Sequence, residues 1–440
     1  MSRIIFLILG AVTSIQYWLK NRLTRTGQFA FAGLVIAAAV GIDTDLTLAY
    51  QIFTLLAALF LLALLTSVFH KVNFEVTRKL PPFVTAGERF RYTLSIINLG
   101  KNAREGLLLL ESLADPCPSY KEFLSSKRKT NRPGSLPHHA YRYWRAMITE
   151  RRNSRIPEQS LPRLLKNQPV EISIDAEAEH RGHIEFISTT VAKPDPFGLF
   201  KAFVFLPHQQ SLLVLPKRYD LPALQLPGKR VYQHGGVTLA TSKGDTEEFV
   251  GLRDYRAGDP LQQIHWKSFA RVGKPVVKEY QDEFFERYAL VLDTFTHAGT
   301  NRIFEEAVSL AASFACTVET QENLLDLMFV GADTYTFTAG IGQLHTDSML
   351  EILASVRACE DKSFSELGNA ILERRPSLSG CILLLTAWDE DRRRLVDELT
   401  ASGLPLEIFV ITGSAAIPQE SEYSLHSLEA GKMAECLAKL

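Results

Sequence analysis

Cysteine is scarce in this 440-residue chain: five residues, an odd number, at Cys117, Cys316, Cys359, Cys381 and Cys436. None is paired at short spacing. That excludes a disulfide framework and a cysteine zinc site, and it fits a reducing compartment. Net charge is equally slight, −1 from 48 Lys+Arg against 49 Asp+Glu, which argues against wholesale nucleic-acid binding. Catalytic signatures are missing too. The chain has no GxSxG elbow and no Walker glycine loop. His265 has no second histidine or cysteine within a turn or two, so metal-ligand spacing is absent there. No small-residue cleavage site follows the first apolar run, which argues against a cleaved signal peptide.

The apolar residues gather at the N-terminus. Ile4–Leu19 is apolar but includes Ser14, Gln16 and Tyr17, and Lys20, Arg22 and Arg25 follow it. It reads as an amphipathic helix lying in the membrane interface, with a further span as the alternative. Leu46–Phe69 carries no charge and is long enough for a transmembrane helix. Phe29–Ile42 is shorter but rich in glycine and alanine, so it can approach a neighbouring helix closely. Only Asp43-Thr44-Asp45 separates the two, which predicts a transmembrane helical hairpin. Basic residues flank its base (Lys20, Arg22, Arg25; Lys71, Arg78, Lys79) and its tip carries only acids. The positive-inside rule therefore places both ends, and the bulk of the chain, in the cytoplasm of a bacterial inner membrane.

From Val72 the pattern changes to short alternating strands, such as Phe90, Tyr92, Leu94 and Ile96, and predicts a β-sandwich over 71–215. Asp195-Pro-Phe-Gly-Leu-Phe200 reads as a tight turn in which Phe197 plugs the sandwich. An insert over 115–168 interrupts the strands. It holds twelve Lys/Arg against four Asp/Glu, with Tyr141, Tyr143 and Trp144 among Arg142 and Arg145. Attraction to anionic lipid, a solvated loop and single-stranded nucleic acid all fit such a composition. The neighbouring anchor favours membrane lipid, and no nucleic acid is expected as a partner.

Residues 216–285 hold a Pro/Gly-rich linker and then the densest run of charged and aromatic residues in the chain. That run reads EEFVGLRDYRAGDPLQQIHWKSFARVGKPVVKEYQDE, from Glu247 to Glu283. Ala257-Gly258-Asp259-Pro260 is a turn signal, with Gly258 free to take positive φ. A short helix should follow, with Ile264, Phe269 and Ala270 facing a core, and then a strand over Pro275–Tyr280. Arg253, Tyr255, Asp259, His265, Trp266, Lys267, Arg271 and Lys274 are the candidate site. Two arrangements stand open. In one they form an interdomain network, with Trp266 packed and Arg253 or Arg271 paired to Asp259. In the other they are exposed and dock a partner protein.

The pattern Glu248-Phe249, Leu252-Arg253-x-Tyr255, Gly258-Asp259, Ile264-His265-Trp266-Lys267, Ala270-Arg271 and Lys278-Glu279 resembles the signature of the bacterial family known as domain of unknown function 58. The chain departs from it at Gln262 or Gln263, where the family usually has an arginine. Arg181-Gly182 with the Asp195–Phe200 turn is a second point of resemblance. From Arg287 onward, apolar strands alternate with helices, which predicts a doubly wound α/β domain over 286–440. This arrangement resembles a von Willebrand factor A-like domain, where the family also places one. Such domains hold a metal at Asp-x-Ser-x-Ser. Here Asp293-Thr294-Phe295-Thr296-His297 puts Phe295 and His297 in the hydroxyl positions, so the site reads as degenerate, with no metal and no cofactor expected. The resemblance implies a MoxR-type AAA+ ATPase as partner. The leading reading is a membrane-anchored cytoplasmic adaptor, not an enzyme. The alternative is a hydrolase using Asp259 and His265 as an acid–base pair, although no nucleophile or oxyanion hole accompanies them.

Overall fold

The computed structural model describes residues 2–40, 47–68, 73–120, 123, 137–222, 248–256, 258–259, 261–281, 286–295, 301–317, 323–331, 334–339, 343–359, 362–413 and 423–439. The tip Asp43–Asp45, most of the Pro/Gly-rich linker, and Thr296 and His297 lie outside them. Two compact units emerge, Met1–Lys217 with Glu351–Ser355, and Arg218–Leu350 with Val356–Leu440.

The first unit opens with three helices: α1 (Ser2–Arg22), α2 (Arg25–Val40) and α3 (Thr47–Val68). The stretches Arg3–Arg22 and Leu48–Thr66 are long and apolar enough to cross a membrane, whereas α2 has only 16 residues. Length therefore singles out α1, expected in the interface, and only the second arm of the expected hairpin. The two arms do pack. Phe31 meets Phe60 at 6.1 Å between ring centroids, and Leu56 comes within 3.8 Å of a Cβ placed on Gly33. Positions rising in α2 match positions falling in α3, so the pair runs antiparallel.

β1 (Phe74–Lys79), β3 (Arg89–Asn98), β7 (Pro169–Ala178) and β5 (Ser154–Arg155) form one sheet in the order β1-β3-β7-β5. β2 (Phe83–Thr85), β9 (Lys201–Leu215), β8 (Gly182–Pro194), β4 (Leu108–Leu113) and β6 (Gln159–Ser160) form the other, in the order β2-β9-β8-β4-β6. The inward residues of both sheets, among them Tyr92, Leu94, Ile174, Phe186 and Val214, make one apolar core. Within that core Arg78 of β1 reaches Glu111 of β4 at 2.6 Å, both side chains fully buried, and donates to Thr189 of β8 at 2.8 Å.

The turn after β8 corrects an expectation. Phe197 does not plug this core, being 43% exposed. Its neighbours Leu199 and Phe200 are buried instead against Leu23, Phe60 and Ala63 of the helical stem. Asp195 shapes the turn by accepting from the amides of Leu199 and Phe200 at 2.7 and 2.8 Å. The Thr24 amide donates to the Leu199 carbonyl at 3.0 Å, while the Thr24 hydroxyl caps α2 by accepting from the Gly27 amide at 3.0 Å. The Asp-Pro-Phe-Gly-Leu-Phe segment is thus the joint between stem and β-domain.

In the second unit, β12 (Glu286–Leu292), β13 (Asn323–Val330), β14 (Thr334–Ala339), β15 (Gly380–Leu385), β16 (Leu406–Thr412) and β17 (Leu425–Glu429) form one sheet ordered β14-β13-β12-β15-β16-β17. Every pair is parallel except β13 with β14. β15 is buried at every position, as parallel strands covered on both faces are. Leu367, Ile371, Leu395 and Leu399 cover one face with Ala289 and Val291. On the other, Phe314 meets Phe409 at 5.1 Å. Helices thus lie on both faces.

Candidate functional site

The signature folds as a small module of its own. β10 (Glu248–Asp254) and β11 (Val276–Gln281) pair antiparallel, with register from Glu248 against Gln281 to Asp254 against Val276. Between them lie a 3-10 turn, Leu261–Gln263, and α5, Trp266–Val272. Gly258 takes φ +114°, the positive value read from the turn signal. Ile264 and Val277 are buried and bridge each other, so they form the centre of the module. Phe269 and Ala270, expected to face a core, are exposed.

Arg253 clamps Asp259 with two parallel bonds, Nη1 to Oδ2 at 2.6 Å and Nη2 to Oδ1 at 2.8 Å. The Arg256 amide adds a third at 2.8 Å. These bonds, the Arg253 side chain first, hold the Asp259 carboxyl down at about 2. Asp259 is thereby committed to fixing the loop. The ring Nδ1 of His265 lies 2.7 Å from the Ser268 hydroxyl, one turn along α5. No hydrogen bond joins Asp259 to His265 among the described residues, so the geometry does not assemble the acid–base pair of the hydrolase alternative.

Trp266 is not packed, in contrast to the network arrangement: it is 63% exposed. It meets Phe269 edge-on at 6.0 Å. Leu261 and Val272 are exposed too, as are Arg256, Lys267, Arg271 and Lys274. Tyr255 is half-buried, and its amide donates to the Pro275 carbonyl at 3.0 Å. The site residues therefore divide. Arg253, Asp259 and His265 hold the module in shape, and Trp266, Lys267, Arg271 and Lys274 stand outward.

The degenerate metal segment has a partner that the sequence did not announce. Asp293 is fully buried and follows β12 directly. Its Oδ2 accepts from the Thr386 amide at 3.0 Å, from the Thr386 hydroxyl at 2.7 Å and from Nε of Arg392 at 2.7 Å. Oδ1 accepts from the Phe295 amide at 2.9 Å. Asp293 thus ties the loop after β12 to the end of a second strand and to α9 (Glu390–Ala401). The Phe295 and Phe364 rings meet edge-on at 5.6 Å beside it. Residues fitting a hard cation are therefore already engaged by a guanidinium. Among the described residues no group of three or more His, Cys, Asp and Glu is placed to hold a metal.

The basic insert is not a free loop either. Pro137–Arg151 forms α4, and Trp144 is buried with Leu9 of α1 and Phe123. Its Nε1 donates to the Thr13 hydroxyl at 2.8 Å. β5 and β6, also from the insert, extend one sheet each.

A β-rich first unit, a mostly parallel second one and the charged module opening it define the class of this chain. Residues 251–377 match the family described as Protein of unknown function DUF58. It is similar to the uncharacterized protein YeaD of Bacillus subtilis (strain 168), 27% identical over 176 residues, covering 40% of this chain and 42% of that one. The chain thus matches under half the length of that relative. Among solved structures, a CARDB domain from Pyrococcus furiosus is 10% identical with TM-score 0.18, covering 33% of this chain and 97% of that one. The E. coli alpha-2-macroglobulin is 17% identical with TM-score 0.20, covering 36% and 8%. At such scores neither likeness bears on what this chain does.

Proposed function

We propose that this protein is a membrane-anchored adaptor whose signature module docks a partner protein, and that the partner is the MoxR-type AAA+ ATPase the family resemblance implies. The observation that carries the reading is Trp266, exposed at 63% on a module whose shape is fixed from within by Arg253 and Asp259. An exposed tryptophan on a module that also exposes Lys267, Arg271 and Lys274 is an unfavourable surface to leave in water. Tryptophan and arginine are the residue types that dominate binding hot spots. The cations select a partner surface bearing carboxylates around an apolar slot.

Two further parts belong to the reading. The strand order of the second unit, with one antiparallel edge strand, supports a von Willebrand factor A-like domain. The antiparallel packing of α2 on α3 supports a hairpin anchor, and its basic flanks support a cytoplasmic place for the rest. Against the enzyme alternative stands the commitment of the Asp259 carboxylate to Arg253.

Pull-down from membranes with tagged full-length chain tests this. Wild type should retain an AAA+ ATPase, and Trp266→Ala and Lys267→Glu/Arg271→Glu should lose it while melting like wild type. Retention of that ATPase by both variants would overturn the docking role of the module.

A further inference from the structure

We propose that Arg392 is a built-in cation: its guanidinium fills the ligand crevice of the six-stranded sheet in the place a divalent metal would take. The argument begins with topology. β12 sits between β13 and β15. From β12 the chain moves to one side, through β13 and β14, and then resumes on the other side at β15. Between β12 and β15 the winding reverses, and the crevice beyond their carboxyl ends is where open α/β sheets take ligands. Asp293 and Thr386 are the residues that follow these two strands.

Oxygens converge there as they would on a hard cation. The Arg392 guanidinium donates to Asp293 Oδ2 at 2.7 Å, to Asp389 Oδ2 at 2.5 Å and to the Phe295 carbonyl at 2.9 Å. The Thr386 hydroxyl closes the group, 2.7 Å from Asp293 Oδ2 and 3.0 Å from the same carbonyl. Asp293 has no exposed side-chain surface and Arg392 has 4%. A carboxylate so deep requires a positive charge beside it. Burial pulls the Arg392 pKa down, but Asp293 and Asp389 outweigh it and the net shift is upward, so the charge is permanent.

The arginine is also held rigidly. Asp389 caps α9 by accepting from the Arg392 amide at 3.1 Å with the oxygen its guanidinium does not use. The Phe364 ring lies 4.8 Å from the guanidinium carbon, a cation–π contact in a desolvated place. A metal would exchange with solvent and depend on its concentration. A side chain does neither, so this end of the sheet keeps its form without divalent ions.

The test uses the full-length chain in detergent, with Mn²⁺ as the probe, followed by electron paramagnetic resonance. Wild type should leave micromolar Mn²⁺ free and should melt at one temperature in EDTA and in Mg²⁺. Mn²⁺ uptake by wild type that Asp293→Asn abolishes would overturn the proposal. Arg392→Ala strips the oxygens of their cation. It should melt lower than wild type and should take up Mn²⁺ that raises the melting temperature again. A variant that melts like wild type, or one that is weakened but takes up no Mn²⁺, overturns the proposal equally. Should Arg392→Ala fail to fold, Asp293→Asn/Arg392→Met removes both charges together and should fold. Its failure as well would mean that shape, not charge, is what Arg392 supplies.

Discussion

Asp259 shows how much of a single residue's role can be read from its neighbours in sequence. Six positions separate it from Arg253, a turn signal lies between them, and of the two partners the sequence leaves open, Arg253 and Arg271, it is Arg253 that pairs with it in a bidentate geometry. A carboxyl held at about 2 against an ordinary 3.8 binds its proton less readily folded than unfolded. Its stabilising effect is therefore complete above the unfolded value and fades as pH falls through about 2. NMR titration of the Asp259 carboxyl should give a midpoint near the lower value in wild type and near the ordinary value in Arg253→Gln. A wild-type midpoint at the ordinary value would mean that the clamp does not hold in solution. Arg392 is the opposite case. It stands 99 positions from Asp293, inside an exposed-looking run of Asp and Arg, and no local pattern marks it as buried. The sequence shows which hydroxyls the metal segment lacks. It does not show the guanidinium that takes the vacated place, because only the three-dimensional crossing of α9 brings it there.

Elements were legible where their periodicity was strong and their contacts local. The alternation through Phe90–Ile96 and the apolar run at β15 sufficed to place strands on a core. β17 raised no expectation, because Leu425–Glu429 buries only two of five residues and draws its order from pairing with β16. The Asp195–Phe200 turn was legible as a turn but not as a joint, since its partners lie in the stem. Gly27 carries a prediction here. A Cβ at that position would stand 2.1 Å from the Leu199 carbonyl oxygen, so Gly27→Ala must push stem and turn apart. Overpacking of this kind costs about 1–3 kcal/mol. Thermal unfolding in detergent should show the loss, and limited proteolysis should cut near Thr24 faster than in wild type; unchanged behaviour in both would mean that the joint is loose. The inner pair of the β-domain gives a larger effect. Arg78→Met leaves the buried Glu111 without its cation, at about 3–5 kcal/mol. Burial already pushes the Glu111 carboxyl up, against the pull of Arg78, so the lost stability should be partly regained as pH falls and Glu111 protonates. Arg78→Met/Glu111→Leu should recover most of it at neutral pH, because two well-packed apolar groups need no partner. Chemical denaturation of wild type and the two variants checks this; a double variant as weak as the single one would place the cost in packing.

At the scale of the whole molecule the stem sets how this chain would meet a membrane. Length admits α1 and α3, but packing separates them. Ile5, Phe6 and Leu9 of α1 lie against Trp144 and Phe123, while Ile4, Leu7, Ile8 and Ile15 on its other side are exposed. If α1 crossed the bilayer, α4 would have to accompany it. Arg142 and Arg145 would then enter hydrocarbon, at roughly 2.5–3.5 kcal/mol each by insertion scales. A helix tied to a basic helix on one side and apolar on the other fits the interface, where lipid takes the apolar face and phosphate the arginines. On this reading α2 and α3 alone cross, and α2 manages with 16 residues by local thinning of the bilayer around it. The parity of crossings makes the reading testable. Reporter fusions after Glu177 and at the C-terminus should be active only for a cytoplasmic reporter. A fusion at the N-terminus separates the two readings of α1, because an additional crossing would move that end alone to the periplasm. Cytoplasmic activity at all three positions is expected. Periplasmic activity at the N-terminus would make α1 a span, and periplasmic activity at either of the other two would reverse the orientation of the whole anchor.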